Sequence, residues 1–305
     1  MKCIMPEQPY CPTCHYGYII YDENDDTHCE WNCLLTEEEY DKMITVNRVF
    51  IRGDTHGNFD WLEDWCRKNE TTTNDILILL GDHALRFEGS ETWREINRKK
   101  SVAAQPITIF ALRGNHDRPY YKEDGSIWGD IELTECPMLD NRDYGGMLLF
   151  EDKMWHDKEY PNIWYFQDGK EYFIKGKNFF TYGGAYSVDK EWRQLMHWTW
   201  YPNEIASHSE HAAALDIIYH RHFNYVLTHT CPTDWQPVDL FMRGLDQSKV
   251  DTTMEKYLDD VLYYIDGYDY WYFGHYHANR DYGKIGEYDW NGETIMLFDE
   301  IRRIL

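Results

Sequence analysis

The sequence contains little positive charge and no long hydrophobic run. Its 305 residues include 30 Lys and Arg against 54 Asp and Glu, which gives a formal net charge of -24. A surface this negative repels phosphate backbones, so nucleic acid is disfavoured as a partner. The longest apolar stretch of the core type, residues 76–80, is far shorter than the about 20 residues that cross a membrane. Residues 1–12 contain no apolar segment typical of a secretory signal. We therefore expect a soluble, cytoplasmic protein without a membrane partner.

Internal repeats and low-complexity tracts are also absent, whereas the residues that build a core are plentiful. Hydrophobic residues make up 43% of the chain and aromatic residues 17%. A disordered acidic chain would lack both, so this composition indicates a folded globular protein.

The cysteines are concentrated near the N-terminus. Five of the eight lie within the first 33 residues, including the pairs Cys11 and Cys14, and Cys29 and Cys33. Without a sign of an oxidising compartment, metal binding or free thiols are favoured over disulfides. A C-x2-C pair followed by a second pair is typical of a zinc ribbon, in which four thiolates hold one structural zinc. The alternatives are that His28 or Cys3 replaces one of these ligands, or that all four cysteines are free thiols.

Short apolar strands alternate with helices from about residue 48 onward. We predict strands at 49–51, 75–80, 107–112, 225–228, 270–273 and 294–298, a strand-rich middle at 120–187, and helices at 60–68, 91–104, 189–200, 204–222 and 252–264. Wholly apolar strands in such an alternation indicate a sheet that is covered on both faces. The sequence therefore predicts an α/β domain over 46–305, preceded by a Cys-rich segment over 1–45 with a short helix at 34–44.

Residues that commonly bind metals follow five of the predicted strands. The motifs are Gly53-Asp54-Thr55-His56-Gly57, Gly81-Asp82, Arg113-Gly114-Asn115-His116-Asp117, His229, and Gly274-His275-Tyr276-His277. Ligands in open α/β sheets bind just beyond the carboxyl ends of the strands. So many donors at one edge exceed the needs of a single tetrahedral ion, and they suit two ions that share a carboxylate.

These five motifs, in this order, resemble the calcineurin-like metallophosphoesterase superfamily over about residues 48–298. The resemblance implies a β-sandwich flanked by helices, in four layers α/β/β/α. It also implies that Asp82 bridges two metals, with the remaining ligands divided into one set of Asp54, His56 and His277 and another of Asn115, His229 and His275. Imidazole and carboxylate donors favour Mn, Fe or Zn, as divalent or mixed-valence ions, over Mg.

The implied activity is hydrolysis of phosphate esters, by in-line attack of a hydroxide that bridges the metals, and the arginines Arg86 and Arg113 favour monoesters. His116 carries no metal in the family and would protonate the leaving group, a role that suits an imidazole beside a cation pair. The substrate would be a phosphorylated small molecule or a phosphoprotein.

Two arginines within the motifs are candidates for substrate binding, because a guanidinium can bind two phosphate oxygens at once. Arg86 and Arg113 occupy positions similar to those in the Ser/Thr protein phosphatase branch, whose motifs read Gly-Asp-x-x-Asp-Arg-Gly and Arg-Gly-Asn-His-Glu. The alternative is that both pair with nearby carboxylates.

The sequence departs from that branch at three positions. Leu85 stands where the branch has the Asp that orients the catalytic histidine, Phe87 replaces a Gly, and Asp117 replaces a Glu. We therefore expect the orientation of His116 to come from elsewhere, from Asp54 or a backbone carbonyl.

Two other functions fit the sequence. A phosphodiesterase or nucleotide hydrolase would use the same metal motifs, because these do not fix the substrate. A zinc-ribbon adaptor with a secondary phosphoesterase domain is an alternative of a different class. The presence of all seven candidate ligands and His116 argues against an inactive domain.

Overall fold

The strands that carry the predicted motifs are buried on both faces. In the computed structural model, Val49 and Ile51 of one strand point into one hydrophobic cluster, and Phe50 between them points into another. Side chains alternate between the faces of a strand, so a sheet covered on both sides needs an unbroken apolar run. The structure describes residues 17–21, 29–33, 46–87, 92–140, 143–144, 147–148, 151–241, 244, 246–285 and 291–305, and only the backbone of 17–21, 29–33, 143–144 and 147–148.

The described strands and helices follow one another in this order. The strands are β1 (Gly17–Tyr21), β2 (Cys29–Cys33), β3 (Val49–Arg52), β4 (Ile76–Leu79), β5 (Thr108–Ala111), β6 (Ile131–Glu135), β7 (Asp143–Tyr144), β8 (Met147–Leu148), β9 (Lys153–Asp157), β10 (Ile163–Tyr165), β11 (Lys170–Ile174), β12 (Lys177–Tyr182), β13 (Phe223–Thr228), β14 (Tyr268–Phe273), β15 (Arg280–Lys284), β16 (Asn291–Met296) and β17 (Ile301–Arg303). The α-helices are α1 (Leu62–Asn69), α2 (Trp93–Ala103), α3 (Lys190–Leu195), α4 (His208–Ile218) and α5 (Thr253–Tyr264), and short 3-10 helices span Thr233–Trp235, Val238–Leu240 and Gln247–Lys249.

Two mixed sheets form the domain. The first has the strand order β17-β3-β4-β5-β10-β9-β6 and the second β11-β12-β13-β14-β16-β15. The strands β3, β4, β5 and β10 run parallel in the first sheet, as do β12, β13, β14 and β16 in the second. Parallel neighbours end at a common edge, so the loops that follow these strands gather there.

The core is layered as predicted. One cluster of buried side chains takes members from both sheets, for example Ile78 from β4 and Leu227 from β13, and so fills the space between them. A second cluster packs α4 and α5 on the outer face of the second sheet, and a third packs α1 and α2 on the outer face of the first. This is the predicted four-layer α/β/β/α sandwich, with helices on both outer faces.

Two predicted helices differ from the observed ones in length. The helix predicted over 189–200 ends at Leu195, because His197 adopts a left-handed backbone (φ 54°) that terminates the helix. The helix predicted over 204–222 begins only at His208, where Ser207 and Glu210 form a capping box that fixes the start. Strands β15 and β17, which the sequence did not indicate, lie at edges of the two sheets.

The predicted Cys-rich segment is described only in part. Strands β1 and β2 pair as an antiparallel ribbon in which Cys29 lies opposite Tyr21 and Cys33 opposite Gly17. Cys11, Cys14 and the predicted helix at 34–44 lie outside the described residues, and the zinc site stays a prediction. Within the part of the chain that the structure describes, no helix is long and apolar enough to cross a membrane.

Candidate metal centre

Six loops from both sheets meet at the carboxyl edge of the parallel strands. Each follows one strand directly, and together they hold all of the predicted ligands: the loops after β3, β4, β5, β12, β13 and β14. Among the residues that the structure describes, three groups of side chains have ligand atoms within 4.8 Å of one another. They are Asp54 with His56 and His277, His56 with Asp82 and His116, and Asp54 with Asp82 and His229.

The first group brings two imidazoles and a carboxylate to one point. His56 Nε2 and His277 Nε2 are 2.8 Å apart, and they lie 3.8 and 3.5 Å from Asp54 Oδ2. That oxygen is buried and accepts no hydrogen bond from the described residues, whereas Oδ1 accepts from the backbone N–H of His275. A buried carboxylate oxygen without a donor is costly unless a cation satisfies it.

A second point of convergence lies between Asn115 and His229. The Nδ1 of His229 is 2.7 Å from the carbonyl oxygen of Leu80, to which it must donate, so in the neutral ring Nε2 carries a lone pair. That Nε2 lies 3.0 Å from Asn115 Oδ1, which is also an acceptor. Two acceptors facing each other at this distance suit a cation between them, and the backbone hydrogen bond on Nδ1 is typical of metal-binding histidines.

Asp82 lies between the two points. Its Oδ1 is 3.6 Å from His229 Nε2, and its Oδ2 is 3.5 Å from His116 Nδ1. Its carboxylate also lies within 4.8 Å of ligand atoms of Asp54 and His56. Burial favours the protonated carboxyl, but the neighbouring imidazoles of His116, His229 and His56 outweigh it and hold the pKa of Asp82 below its ordinary value. Asp82 is therefore an ionised carboxylate placed where it can reach both points.

The surroundings of His275 keep its imidazole neutral, so that it can bind a metal. Burial, followed by the neighbouring His229, lowers the pKa of His275 to about 3. An imidazole that resists protonation keeps a lone pair for a metal at neutral pH. Its ring centroid lies 5.1 Å from that of His229.

The backbone at this edge is strained. Left-handed backbone is found at four of the seven predicted ligands, none of them glycine: His56 (φ 46°), Asp82 (φ 43°), His275 (φ 69°) and His277 (φ 53°). Such conformations cost of order 1 kcal/mol each and persist where the surroundings enforce them, as they do at functional sites.

Glycines make room for the carboxylates. A Cβ at Gly114 would overlap Asp82 Oδ1, and a Cβ at Gly274 would overlap Asp54 Oδ1. The glycines of the motifs therefore let one loop's backbone approach the ligand of another.

These donors fit a pair of metal ions. The predicted ligands supply two carboxylates, four imidazoles and one amide oxygen, and no thiolate. That set suits Mn, Fe or Zn, and the structure brings the donors into two adjoining groups that share Asp82.

His116 is held by a pair of residues that the sequence did not indicate. Asp189 Oδ1 lies 3.8 Å from His116 Nε2, and Arg193 Nη2 lies 3.1 and 3.2 Å from the two ring nitrogens. Asp189 and Arg193 also pair with each other at 2.8 Å. Burial opposes protonation of His116, but Asp82 and Asp189 outweigh it and raise its pKa. The neighbours of this ring are therefore Asp82, Asp189 and Arg193, whereas the sequence suggested Asp54 or a backbone carbonyl.

Arg86 lies in a buried ionic cluster and does not line the metal edge. Its Nε donates to Asp130 Oδ2 at 3.2 Å, and Nη1 donates to the carbonyl of Arg118. Arg118 Nη2 and Lys99 Nζ lie 2.6 and 3.7 Å from the same Asp130 oxygen. The structure does not support the substrate-binding prediction for Arg86, because Asp130, distant in sequence, pairs with its guanidinium; the alternative of pairing with a carboxylate is the observed arrangement.

Arg113 is also held away from substrate. Its Nε pairs with Asp168 at 2.8 Å, and its Nη1 donates to the backbone carbonyl of Glu204 at 3.0 Å. The guanidinium thus ties the motif after β5 to the loops that follow β10 and α3. It too pairs with a carboxylate, and the structure does not support its predicted contact with phosphate.

Two other departures from the phosphatase motifs have structural roles. Leu85 is fully buried in the cluster beneath α1 and α2. Asp117 accepts hydrogen bonds from the backbone N–H groups of Gly114 and Ala84, and so links the loops after β5 and β4. Both residues shape the edge that the metal candidates occupy.

A cavity of about 430 Å³ adjoins the predicted ligands. Four of them line it together with His116, namely Asp82, Asn115, His275 and His277. Its other walls are apolar or aromatic side chains such as Tyr186, Val188, Leu240, Phe241 and Tyr276, together with Asp189 and Glu255. This size and mixture are typical of a site for a small organic molecule.

Asp189, Arg193 and Glu204 were missed because they belong to no recognised motif. The one signal in the sequence was the pair Gly183-Gly184 near the end of the strand-rich middle, which resembles the glycines after the other motif-bearing strands.

Comparison with known proteins agrees with this geometry. No curated protein matches the chain significantly. The sequence model of one family, described as calcineurin-like phosphoesterase, matches residues 48–279, which is well over half of the chain and includes every predicted metal ligand and His116. The chain therefore belongs to the calcineurin-like phosphoesterase family.

Proposed function

We propose that this protein hydrolyses phosphate monoesters with the help of two metal ions. One ion would be held by Asp54, His56 and His277, the other by Asn115, His229 and His275, with Asp82 shared between them. Mn, Fe or Zn would suit these donors. When bound, the ions supply positive charge that polarises the phosphoryl group and activates water.

The observation that carries the proposal is the arrangement of His116. Its ring lies beside Asp82 on one side and between Asp189 and Arg193 on the other. The two carboxylates favour the protonated ring, and a protonated imidazole beside the phosphoryl group can give its proton to the leaving oxygen. Asp189 and Arg193, which pair with each other, limit the positions that the ring can adopt.

Arg193 is the cation that supports a preference for monoesters. Its guanidinium is nearly buried, and it lies against the ring that protonates the leaving group. A monoester dianion has one more non-bridging oxygen and one more negative charge than a diester, so a guanidinium stabilises it more. In a chain of net charge -24, such a local cation also helps to draw a dianion to the site. Arg193 also pairs with a carboxylate, that of Asp189, but unlike Arg86 and Arg113 it places one nitrogen beside His116. We therefore assign to Arg193 the role that the sequence suggested for the other two arginines.

The test is to measure kcat/KM for a nitrophenyl phosphate monoester and the corresponding diester, with Mn²⁺ added. Arg193→Ala should reduce kcat/KM for the monoester by about 2–4 kcal/mol of transition-state stabilisation and that for the diester much less. Arg221→Ala is the matched control, because Arg221 pairs with Glu171 just before β13, at the opposite end of that strand from His229. A wild-type preference for the diester, or equal losses for both esters, would favour the phosphodiesterase alternative.

His116→Ala gives a second test. It should lower turnover by roughly 10²–10⁴ for esters with poor leaving groups, while both metals stay bound. The loss should be smaller for nitrophenol esters, because that leaving group needs little protonation. An equal loss for both kinds of ester would contradict the role of general acid. Loss of metal would instead show that His116 is a ligand.

The natural substrate is proposed to be a phosphorylated small molecule or a phosphoprotein. The cavity beside the ligands is large enough for a small alcohol or for one phosphorylated side chain. Assays with small phosphate esters and with phosphopeptides separate the two. If neither is hydrolysed by the metal-loaded protein, the adaptor alternative is favoured.

A further inference from the structure

Asn115 has an amide whose two ends are chemically different, and only one end can bind a cation. The oxygen Oδ1 is a ligand, whereas the nitrogen Nδ2 carries two hydrogens and repels a metal. The activity proposed above therefore requires something to fix which end faces His229. The fold supplies a chain of hydrogen bonds behind Asn115 that can do this.

The chain begins at Ser187, in the loop after β12. Asn115 Nδ2 is 2.9 Å from Ser187 Oγ, and Ser187 Oγ is 2.6 Å from Glu204 Oε2. A carboxylate oxygen only accepts, so the hydroxyl hydrogen of Ser187 points to Glu204. The serine oxygen then has only lone pairs to offer Asn115, and it can accept from Nδ2 but cannot donate to Oδ1. All three side chains are buried, so water does not substitute for these bonds.

Both oxygens of Glu204 are committed to acceptor roles. Oε1 accepts from the backbone N–H of Ser187 at 3.1 Å, and Oε2 also accepts from Trp200 Nε1 at 2.9 Å. A carboxylate satisfies every one of these donors, whereas an amide in its place would set an N–H group against a donor in either orientation. The donors around position 204 therefore require a carboxylate.

Arg113 supports the same arrangement from the other side. Its Nη1 donates to the backbone carbonyl of Glu204 while its Nε pairs with Asp168. The arginine that stands two residues before Asn115 in the sequence thus holds the residue that orients Asn115. This explains the contacts of Arg113 without a contact to substrate.

We propose that Glu204 is a positioning residue, which acts through Ser187 to direct Asn115 Oδ1 toward the second metal, and that Arg113 holds Glu204 in place for this purpose. The inference rests on the metal pair of the proposed function. It adds a buried relay, outside the seven ligands and His116, that decides whether the second ion is bound.

The test compares Glu204→Gln in two backgrounds of the full chain. In the protein that keeps Asn115, Glu204→Gln allows the Ser187 hydroxyl to turn and to donate to Oδ1 of Asn115. The amide of Asn115 can then rotate by half a turn. Affinity of the second site for Mn²⁺, titrated calorimetrically into metal-free protein, should fall by about 10- to 100-fold, the usual effect of a residue behind a metal ligand. The first site should keep its affinity.

With Asn115→Asp, both oxygens of the side chain are ligands and no orientation has to be fixed. Glu204→Gln should then cause no further loss of Mn²⁺ affinity. Equal losses in the wild-type and Asn115→Asp backgrounds would overturn the proposal, because a merely structural role of Glu204 does not depend on what the side chain at position 115 presents.

Glu210→Gln is the matched control. Glu210 Oε2 likewise accepts from the backbone and hydroxyl of a serine, Ser207, but at the start of α4 and with no link to Asn115. The Glu210→Gln substitution should lower the melting temperature of the metal-free protein without changing its affinity for Mn²⁺. A Glu210→Gln protein that binds Mn²⁺ as weakly as the Glu204→Gln protein would also overturn the proposal. If wild-type protein binds fewer than two Mn²⁺ ions, the proposed function itself fails, and that result is distinct from a failure of the relay.

Discussion

Replacing Asp130 by Asn should destabilise the fold and leave catalysis intact. Asp130 is the shared acceptor of the buried cluster, since its Oδ2 faces Arg86, Arg118 and Lys99. These three cationic side chains are at most 1% exposed, and that of Asp130 is 12% exposed. Asn keeps the shape of Asp but removes the one carboxylate that all three cations face; Arg118 still pairs with Glu95 and Lys99 with Asp157.

The size of the effect follows from the pKa and from burial. Burial favours the neutral acid, but Arg86, Arg118 and Lys99 outweigh it and lower the pKa of Asp130 from 3.8 to about 2. One pKa unit corresponds to about 1.4 kcal/mol, so ionisation of Asp130 contributes about 2 kcal/mol to the free energy of unfolding. Loss of one partner of a buried ion pair typically costs about 3–5 kcal/mol, because the other charges stay buried. We expect a loss of about 2–5 kcal/mol, or roughly 5–20 °C in Tm.

Thermal and urea unfolding of metal-free protein measure this loss, with Asp64→Asn as the control. Asp64 pairs with Arg67 on the surface of α1, where both side chains are well exposed, and its replacement should cost less than about 1 kcal/mol. Because the folded pKa of Asp130 is the lower one, its contribution is complete above the unfolded pKa. The difference between wild type and Asp130→Asn should therefore shrink as pH falls from about 4 toward 2.

Two results would refute this reasoning. A loss no larger than that of Asp64→Asn would show that the cluster is not coupled through Asp130. A large fall in kcat/KM at a temperature where Asp130→Asn is fully folded would show that Arg86 acts on substrate after all.

Three further predictions concern metals. Asp82→Asn should weaken binding of both proposed ions, because Asp82 lies beside His229 of one group of donors and beside Asp54 and His56 of the other; elemental analysis that finds one ion fully retained would contradict this. Gly274→Ala should displace Asp54 and reduce Mn²⁺ affinity at least about tenfold by calorimetry, whereas Gly129→Ala, with open space around its Cβ position, should bind Mn²⁺ as wild type does. Cys14→Ser should release one zinc ion per chain and leave the phosphatase activity in place; free reactivity of all the N-terminal thiols in the native protein would argue against that zinc site.

The candidate metal ligands at this edge could be predicted from the sequence because each of them belongs to a short local pattern. A short apolar run followed by glycine and a metal-binding side chain can be recognised without any knowledge of distant contacts. Parallel neighbours then bring such strand ends together within a sheet, as they do for Asp54 and Asp82. Packing of the two sheets against each other brings His229 to the same place.

The partners of the arginines could not be predicted in the same way. Arg86 meets Asp130, 44 residues later, only because β6 is brought into the first sheet by β9. Arg193 reaches His116 across 77 residues for a similar reason. Which guanidinium faces a phosphate and which faces a carboxylate is decided by tertiary packing, and a motif alone carries no information on it.

The pairing of His56 with His277 has a consequence for how the protein is made. These two side chains meet across 221 positions, and the sheet that bears His56 is completed at its edge by β17. During synthesis Asp54, His56 and Asp82 emerge long before the imidazoles of the second sheet exist to complete their site. Long-range closure of this kind comes late in folding, because the chain must first be ordered between the two ends. An ion held by ligands from both sheets would therefore be bound only after the whole domain has folded.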